Sequence, residues 1–222
     1  MIVLGVDGAL GAFSAAVSRD GKLLAVRSRA GNVALESGLE MISEVLRDSN
    51  VSPAQLDRIA VGDGPGGFTG LRITISYAKS LAQAWRRPLV ALSSFDLLEY
   101  GQALDRMLSV VVGRTGVISA RYRDHNIVMR ASGQIADVLD NVLPPSEGRV
   151  LRVIGAPEDV VAALAERAYP VDAHLPLVTP AAAAAALAGA EREPARSVHD
   201  VRADYGELPA VKVPSFPKAA RR

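Results

Sequence analysis

The sequence predicts an α/β protein whose two halves repeat one order of strands and helices. Short apolar runs separated by turn residues open each half, which is typical of strands. Segments with apolar residues at helical spacing follow these runs. The chain has 222 residues, of which 49% are hydrophobic and 22% charged. This length allows one large domain or two compact lobes with a real core.

The first half reads as three strands, then a helix, a strand, a helix, a strand and a helix. The predicted ranges are 2–6, 13–18, 23–27, 35–49, 59–62, 71–86, 89–92 and 94–107. Asp20-Gly21, between the second and third strands, is a strong hairpin signal. Leucine and isoleucine recur at helical spacing between residues 35 and 46 and predict an amphipathic helix.

The second half repeats this order. It predicts three strands, a helix, a strand and two helices at 108–112, 117–122, 127–131, 134–139, 150–154, 157–168 and 180–190. Three meandering strands followed by helix and strand alternation form the ribonuclease-H-like pattern. Two copies make the actin, Hsp70 and sugar-kinase architecture, in which the cleft between lobes usually binds ATP. We expect an N-terminal lobe at 1–106, a C-terminal lobe at 107–205 and a tail at 206–222. A fold alone does not assign a function.

Composition excludes several classes of function. The 25 basic and 24 acidic side chains leave a net charge of +1, so no overall field attracts nucleic acid or membrane. The chain has no cysteine, which excludes disulfides, thiolate nucleophiles and cysteine-ligated metals. The three histidines are far apart and form no zinc motif. A serine hydrolase has no support, because no Gly-x-Ser-x-Gly sequence is present.

The ends of the chain predict a cytoplasmic protein. The N-terminus has no basic region and meets Asp7 too early for a signal peptide. No apolar run reaches the length of a membrane span. From Lys212 onward the tail is basic, which predicts either a solvated segment or a weak electrostatic contact with RNA.

Residues 64–72, Gly-Pro-Gly-Gly-Phe-Thr-Gly-Leu-Arg, carry the most information in the chain. Four glycines and a proline lie between a predicted strand and a predicted helix, where backbone N–H groups suit an anion or a closely packed neighbour. The lysine and hydroxyl residue of a P-loop are missing. We place Arg72 in the first helical turn, where a cation opposes the helix dipole and calls for an acidic partner. Ile73 and Tyr77 add apolar surface, which indicates a helix that is deeply buried or shared with another subunit.

Asp7 and Asp63 each end a predicted strand. In ribonuclease-H-like folds, carboxylates at such places can bind a divalent metal for phosphoryl chemistry. An ordinary aspartate that is solvated or caps a helix is the competing interpretation. Asp7 and Asp63 therefore form a weak candidate site for nucleotide or metal.

Residues 59–73 resemble the TsaB (YeaZ) family. Its hallmark is Gly-Pro-Gly-Ser-Phe-Thr-Gly-Leu-Arg, and only Gly67 differs here. The similarity continues through residues 78–82 and 88–94, whereas the second half matches weakly. The resemblance implies a non-catalytic subunit in the synthesis of N6-threonylcarbamoyladenosine in tRNA. In that family the chain pairs with the TsaD subunit, which carries metal, ATP and the threonylcarbamoyl transfer, and the ATPase TsaE joins the pair.

The resemblance also implies that the glycine loop and the following helix form a dimer surface, used with TsaD and in a homodimer. We therefore expect no cofactor on this chain alone. The residues expected at the partner surface are Gly64, Pro65, Gly66, Phe68, Thr69, Gly70, Leu71, Arg72, Ile75 and Lys79.

The chain departs from the family pattern at the predicted cleft. The family usually has Asp-Thr-Ser/Ala-Thr at the first strand end, but here the sequence is Asp7-Gly8-Ala9-Leu10, without the hydroxyls. A C-terminal Tyr-Leu-Arg motif is reduced to Tyr205. These losses favour a scaffold. The alternative is an ATP- and Mg²⁺-dependent phosphotransferase or ATPase, with Asp7 and Asp63 around the metal.

Overall fold

Two five-stranded sheets with the same strand order organise the chain. The computed structural model describes residues 1–31, 34–114, 116–172 and 180–206. The predicted tail lies outside the described residues from position 207 onward. Within the described residues, no helix is long and apolar enough to cross a membrane.

The first sheet has the order β3-β2-β1-β4-β5. Its strands are β1 (Ile2–Asp7), β2 (Ala12–Arg19), β3 (Lys22–Ala30), β4 (Arg58–Gly64) and β5 (Leu89–Ser93). β1 pairs antiparallel with β2 and parallel with β4, which in turn pairs parallel with β5. Helices α1 (Ala34–Asp48) and α2 (Phe68–Trp85) cover the face that carries Leu4 and Val6.

The second sheet has the order β10-β9-β6-β7-β8. Read in the opposite direction, this is the same order of strands as in the first sheet. Its elements are β6 (Met107–Arg114), β7 (Val117–Asp124), β8 (Ile127–Gln134), α4 (Ile135–Val142), β9 (Leu151–Ile154), α5 (Glu158–Glu166) and β10 (Val171–Asp172). β6 pairs antiparallel with β7 and parallel with β9. The predicted α/β class with two ribonuclease-H-like sheets is confirmed.

Helix α6 (Ala181–Ala188) follows the second sheet in sequence but packs on the first, on the face opposite α1 and α2. Ala182 to Ala186 are completely buried. Small side chains let the helix backbone approach the sheet, and a Cβ at Gly5 would lie closer than 3.0 Å to the Ala182 carbonyl oxygen. Ser18 Oγ also donates to the Ala186 carbonyl at 2.8 Å. The lobe boundaries 1–106 and 107–205 stay a prediction.

Predicted and observed element boundaries agree to within about three residues, except at the end of the helix predicted at 94–107. Helix α3 (Ser94–Glu99) ends well before the predicted Met107, because Gly101 adopts a φ of 74° and Met107 already pairs in the sheet. Helix α2 begins at Phe68, three residues earlier than predicted, directly after Gly67. Strand β10 was not predicted, and its two residues form too short a pattern to recognise.

A buried cluster of charges joins the two sheets. Glu99, at the end of α3, is 5% exposed and accepts hydrogen bonds from Ser109 on β6 and from Arg121 and Arg123 on β7. The Arg121 guanidinium also donates to Asp96 Oδ1 at 2.7 Å. Glu99 and Arg121 are largely removed from water, which costs free energy. Only well-placed hydrogen bonds and ion pairs offset that cost, so the cluster requires one geometry. This joint was not predicted from the sequence.

Replacing Glu99 by alanine should destabilise the protein by about 3 kcal/mol, because Arg121 and Arg123 would lose their main buried counter-charge while Asp96 still pairs with Arg121. Urea unfolding measures this. Asp48→Ala, which breaks the exposed pair with Arg27, is the matched control and should cost less than about 1 kcal/mol. Equal effects of the two substitutions would contradict a stabilising joint.

Candidate functional site

The glycine loop packs against the chain's own backbone on two sides. Gly64 has a φ of 108°, and its Cα faces the carbonyl oxygen of Asp204; the Gly64–Pro65 peptide bond is cis. On the other side, a Cβ at Gly66 would lie closer than 3.0 Å to the carbonyl oxygen of Ala9. These contacts favour close packing over an anion cradle.

The start of α2 packs in the same way. A Cβ at Gly70 would lie closer than 3.0 Å to the carbonyl oxygen of Gly8. In the opposite direction, a Cβ at Gly8 would collide with Thr74 Oγ1. Helix α2 therefore packs directly against the backbone of the turn between β1 and β2 at Gly8.

Exposure divides the predicted partner surface into two groups. Gly64, Pro65, Gly66, Leu71 and Ile75 are buried. Leu71 is 0% and Ile75 6% exposed in the core beneath α2, so a place for these two side chains at the partner surface stays a prediction that their burial does not favour. Their role is to support the helix from below.

The other members of the predicted surface are accessible. Phe68, Thr69 and Arg72 are exposed, and Gly70 and Lys79 are partly exposed. Phe68 is 56% exposed, which is unusual for a phenylalanine. Ile73 and Tyr77 instead pack partly buried against the core.

Arg72 lies in the second helical turn rather than the predicted first, because α2 begins at Phe68. Its guanidinium carbon is 4.9 Å from the centre of the Phe68 ring. The Tyr205 ring contacts Phe68 from the C-terminal segment, with the ring centres 5.1 Å apart. Among the described residues no carboxylate forms an ion pair with Arg72. We call Arg72, Phe68 and Tyr205 the exposed stack.

Asp7 is completely buried at the end of β1. Its Oδ2 accepts hydrogen bonds from the backbone N–H groups of Ala9 and Leu10 at 3.2 and 3.4 Å. Oδ1 has no partner among the described residues and lies in the space that a Cβ at Gly62 would occupy. Burial raises the pKa of Asp7 to about 6, against the opposing effect of these backbone hydrogen bonds.

Asp63 lies at the other end of the loop and is partly buried. Burial, followed by the nearby carboxylates of Asp204 and Asp96, raises its pKa to about 6. Among the described residues, the group of three side chains that could bind a metal together is Asp105, Asp124 and His125, beside the β7–β8 turn. Neither Asp7 nor Asp63 belongs to it.

A protein-family comparison gives residues 33–199 as a match to the model "TsaD: tRNA N6-adenosine threonylcarbamoyltransferase". An Escherichia coli protein named tRNA threonylcarbamoyladenosine biosynthesis protein TsaB is 32% identical over 132 residues, which cover 57% of this chain and 57% of the relative. An uncharacterised protein of Mycobacterium leprae is 30% identical over 187 residues, 81% of this chain and 50% of the relative. The chain thus spans about half the length of these two relatives.

The solved structure of YeaZ from Pseudomonas aeruginosa superimposes with a TM-score of 0.67 at 23% identity, covering 92% of this chain and 99% of that one. This likeness shows the fold. The chain belongs to the TsaD/YeaZ (TsaB) family.

The loop contacts explain where this family member departs from the TsaB hallmark. Position 67 is where the hallmark has serine, and a Cβ there would meet only the Ala9 carbonyl oxygen, at an ordinary 3.6 Å. Gly67 caps α2 without a side-chain hydrogen bond. At Gly66 and Gly70, which the family motif shares, a Cβ would instead lie closer than 3.0 Å to a backbone carbonyl oxygen. At position 8 the family has threonine and this chain has glycine. Thr74 Oγ1 occupies the space that a side chain at position 8 would need.

Sequence reasoning missed two parts of the site in this family member. The C-terminal segment near Asp204 and Tyr205 reaches the glycine loop, although the sequence shows only an incomplete motif there. The charge cluster around Glu99 had a usable signal. Asp96 and Glu99 are three residues apart on a helix, and Arg121 and Arg123 alternate on a strand, so each pair shares a face.

Gly67→Ser should be neutral or stabilise the protein by about 0.3 kcal/mol, because serine is a good N-cap and fits the available space. Gly66→Ser, at the neighbouring position, is the matched comparison. It should destabilise the protein by about 1–3 kcal/mol, because its Cβ collides with the Ala9 backbone. Thermal and urea unfolding measure both. Similar effects at the two positions would mean that the loop is loosely packed.

Asp7→Asn should flatten the pH dependence of stability. The folded-state pKa of about 6 exceeds the ordinary value of 3.8, so the protonated carboxyl favours the folded state. This contribution is complete below about pH 4 and is lost as the pH rises through 6. The loss corresponds to about 3 kcal/mol.

Urea unfolding at about pH 4 and pH 7.5 tests this expectation, with Glu40→Gln as a control for removing an exposed carboxylate. The stability of Asp7→Asn should fall less than that of the wild type over this range. An unchanged pH profile would show that Asp7 is already ionised without cost in the folded protein.

Proposed function

We propose that this chain is the non-catalytic dimerisation and scaffold subunit of the tRNA threonylcarbamoyladenosine modification complex, and that it supports the TsaD catalytic subunit. One observation carries the proposal. The glycine loop that leaves Phe68, Thr69 and Arg72 exposed also packs against the backbone of the β1–β2 turn, with Asp7 completely buried behind it. Packing of this kind suits a docking surface that is held rigidly by the fold.

The exposed residues of α2 have the composition of an interaction site. Aromatic side chains and arginine dominate the binding energy of many protein interfaces. Phe68 and Arg72 stack on each other at the start of a long, rigid helix. Arg72 has no ion-pair partner among the described residues, so a carboxylate of another subunit is a suitable counter-charge. Lys79 lies farther along the same helix.

Catalysis is assigned to the partner in this proposal. TsaD supplies the ATP and metal sites and the threonylcarbamoyl transfer, and the TsaE ATPase joins the pair. This chain binds no cofactor by itself, contacts tRNA weakly or indirectly, works in the cytoplasm and forms a homodimer when alone. The family model of TsaD matches this chain itself, which supports a pairing of two related folds through equivalent helices.

The alternative is an ATP- and Mg²⁺-dependent phosphotransferase or ATPase that uses Asp7 and Asp63. Burial of Asp7 argues against it, because no face of this carboxylate reaches solvent. Binding of Mg²⁺ and ATP to the chain alone would support this alternative.

Arg72→Glu should weaken binding to TsaD at least about 30-fold, because it places a negative charge where the proposal requires a cation. Light scattering of the purified chain mixed with TsaD of the same organism, with and without ATP, measures the complex. Arg19→Glu is the matched control. It makes the same charge change at an exposed position beside the start of β1, at the opposite end of the sheet.

Two results would contradict the scaffold proposal. The first is that the wild-type chain and TsaD form no complex while the chain alone binds Mg-ATP. In that case the alternative would replace the proposal. If Arg72→Glu and Arg19→Glu bound TsaD equally well, the partner surface would lie elsewhere on the molecule.

A further inference from the structure

The C-terminal segment Val201 to Gly206 crosses from the first sheet to the second beside the glycine loop. We call it the strap. Val201 is 3% exposed and belongs to the core of the first sheet. The backbone N–H of Asp204 donates to the carbonyl oxygen of Asp63 at 2.7 Å. A Cβ at Gly206 would meet Ser119 and Ser132 of the second sheet and Pro65 of the glycine loop, so the strap lies close to both.

A salt bridge connects the strap to the second sheet. The Asp204 carboxylate pairs with the guanidinium of Arg130 on β8, and its other oxygen accepts from the backbone N–H of Gly206 at 2.8 Å. Arg130 in turn lies over the Phe95 ring at 5.2 Å. Arg121, from the charge cluster between the sheets, lies over the same ring at 5.1 Å.

The strap ends by presenting an aromatic side chain at the surface. Tyr205 is 39% exposed and contacts Phe68, which is 56% exposed. Large, exposed aromatic side chains in contact with arginine form a patch of the kind that anchors protein interfaces. Docking would bury the exposed part of the ring, and the hydroxyl would then need a hydrogen-bond partner in the interface.

We infer that the strap is part of the docking surface, with Tyr205 contacting the partner directly and the Asp204–Arg130 pair acting as its positioning device. This inference rests on the proposed function, and its occupant is the TsaD subunit. The partner has the same fold as this chain, so its own loop and helix can meet the exposed stack across a pseudo-twofold axis. An acidic side chain of TsaD would complete the environment of Arg72.

A consequence is that the docking surface depends on the relative position of the two sheets. The contacts run from the buried cluster through Phe95 and Arg130 to Asp204, and from there to the exposed stack. Each step is a direct contact, which gives the coupling a continuous physical path. A change at the joint between the sheets would therefore alter affinity for TsaD without touching it.

The direct test compares TsaD binding by Tyr205→Ala, Tyr205→Phe and Leu23→Ala. Tyr205→Ala should weaken binding about tenfold or more, whereas Tyr205→Phe keeps the ring and should restore most of the affinity. Leu23 is 38% exposed at the far end of the first sheet, so Leu23→Ala removes a similarly exposed apolar side chain elsewhere. Thermal unfolding of each variant shows that the fold is retained.

The positioning role is tested with Arg130→Gln and with a double-mutant cycle. Arg130→Gln should weaken TsaD binding severalfold in the wild-type background. It should have little further effect in Tyr205→Ala, because it acts through that side chain. Phe68→Ala and Tyr205→Ala should likewise combine less than additively, since the two rings form one surface. Full additivity in both cycles would overturn the positioning role.

The outcomes separate this inference from the proposed function. If wild-type chain binds TsaD and Arg72→Glu abolishes binding, but Tyr205→Ala binds as well as wild type, the inference fails and the scaffold function stands. If wild-type chain does not bind TsaD, the proposed function fails first. If Tyr205→Ala disrupts only a homodimer, the assignment of TsaD as the occupant is overturned.

Discussion

Contacts between backbones, made possible by the absence of side chains at Gly64, Gly66 and Gly70, fix the arrangement on which the rest of the site depends. Each glycine faces a carbonyl oxygen of another segment, either the strap or the β1–β2 turn. Added Cβ atoms would push the loop away from both neighbours. Because the loop leads directly into α2, these contacts also set the position of the helix and of the side chains that it exposes. The motif therefore acts first by packing. Through that packing it sets which side chains of α2 are exposed.

The same constraint decides how the turn after the first strand is packed in this chain. An actin-like fold that binds nucleotide needs an open turn after its first strand, with hydroxyls and N–H groups facing the phosphates. Here Gly8 and Thr74 share that space, and Asp7 is buried without a partner for Oδ1. A buried carboxyl that favours its protonated form fits a packed wall better than a metal ligand. The hydroxyls are lost in the same turn whose backbone packs closely against α2.

The order of elements was predictable from sequence because strands and helices have different periodicities, and turn residues mark their ends. The identity of the loop was predictable because few sequences place four glycines in nine positions. Which side chains of α2 are exposed was harder to predict from the sequence. Leu71 and Phe68 are both apolar and three residues apart, yet one is fully buried and the other is 56% exposed. That difference depends on where the helix begins, and Gly67 rather than the periodicity sets its first residue. Contacts between distant segments, such as Tyr205 with Phe68, have no local signal at all.

Two groups of charged residues connect separate segments of the molecule, a largely buried cluster around Glu99 and the exposed Asp204–Arg130 pair. Glu99 holds two arginines of the second sheet, and the second sheet holds the strap through Arg130. Ionic contacts of this kind contribute little net stability compared with apolar packing, but they require one geometry and penalise others. Such specificity matters most at the exposed stack, a surface assembled from α2 and from the C-terminal strap. The orientation of the sheets and the shape of that surface are then one property, determined by the same set of arginines and carboxylates.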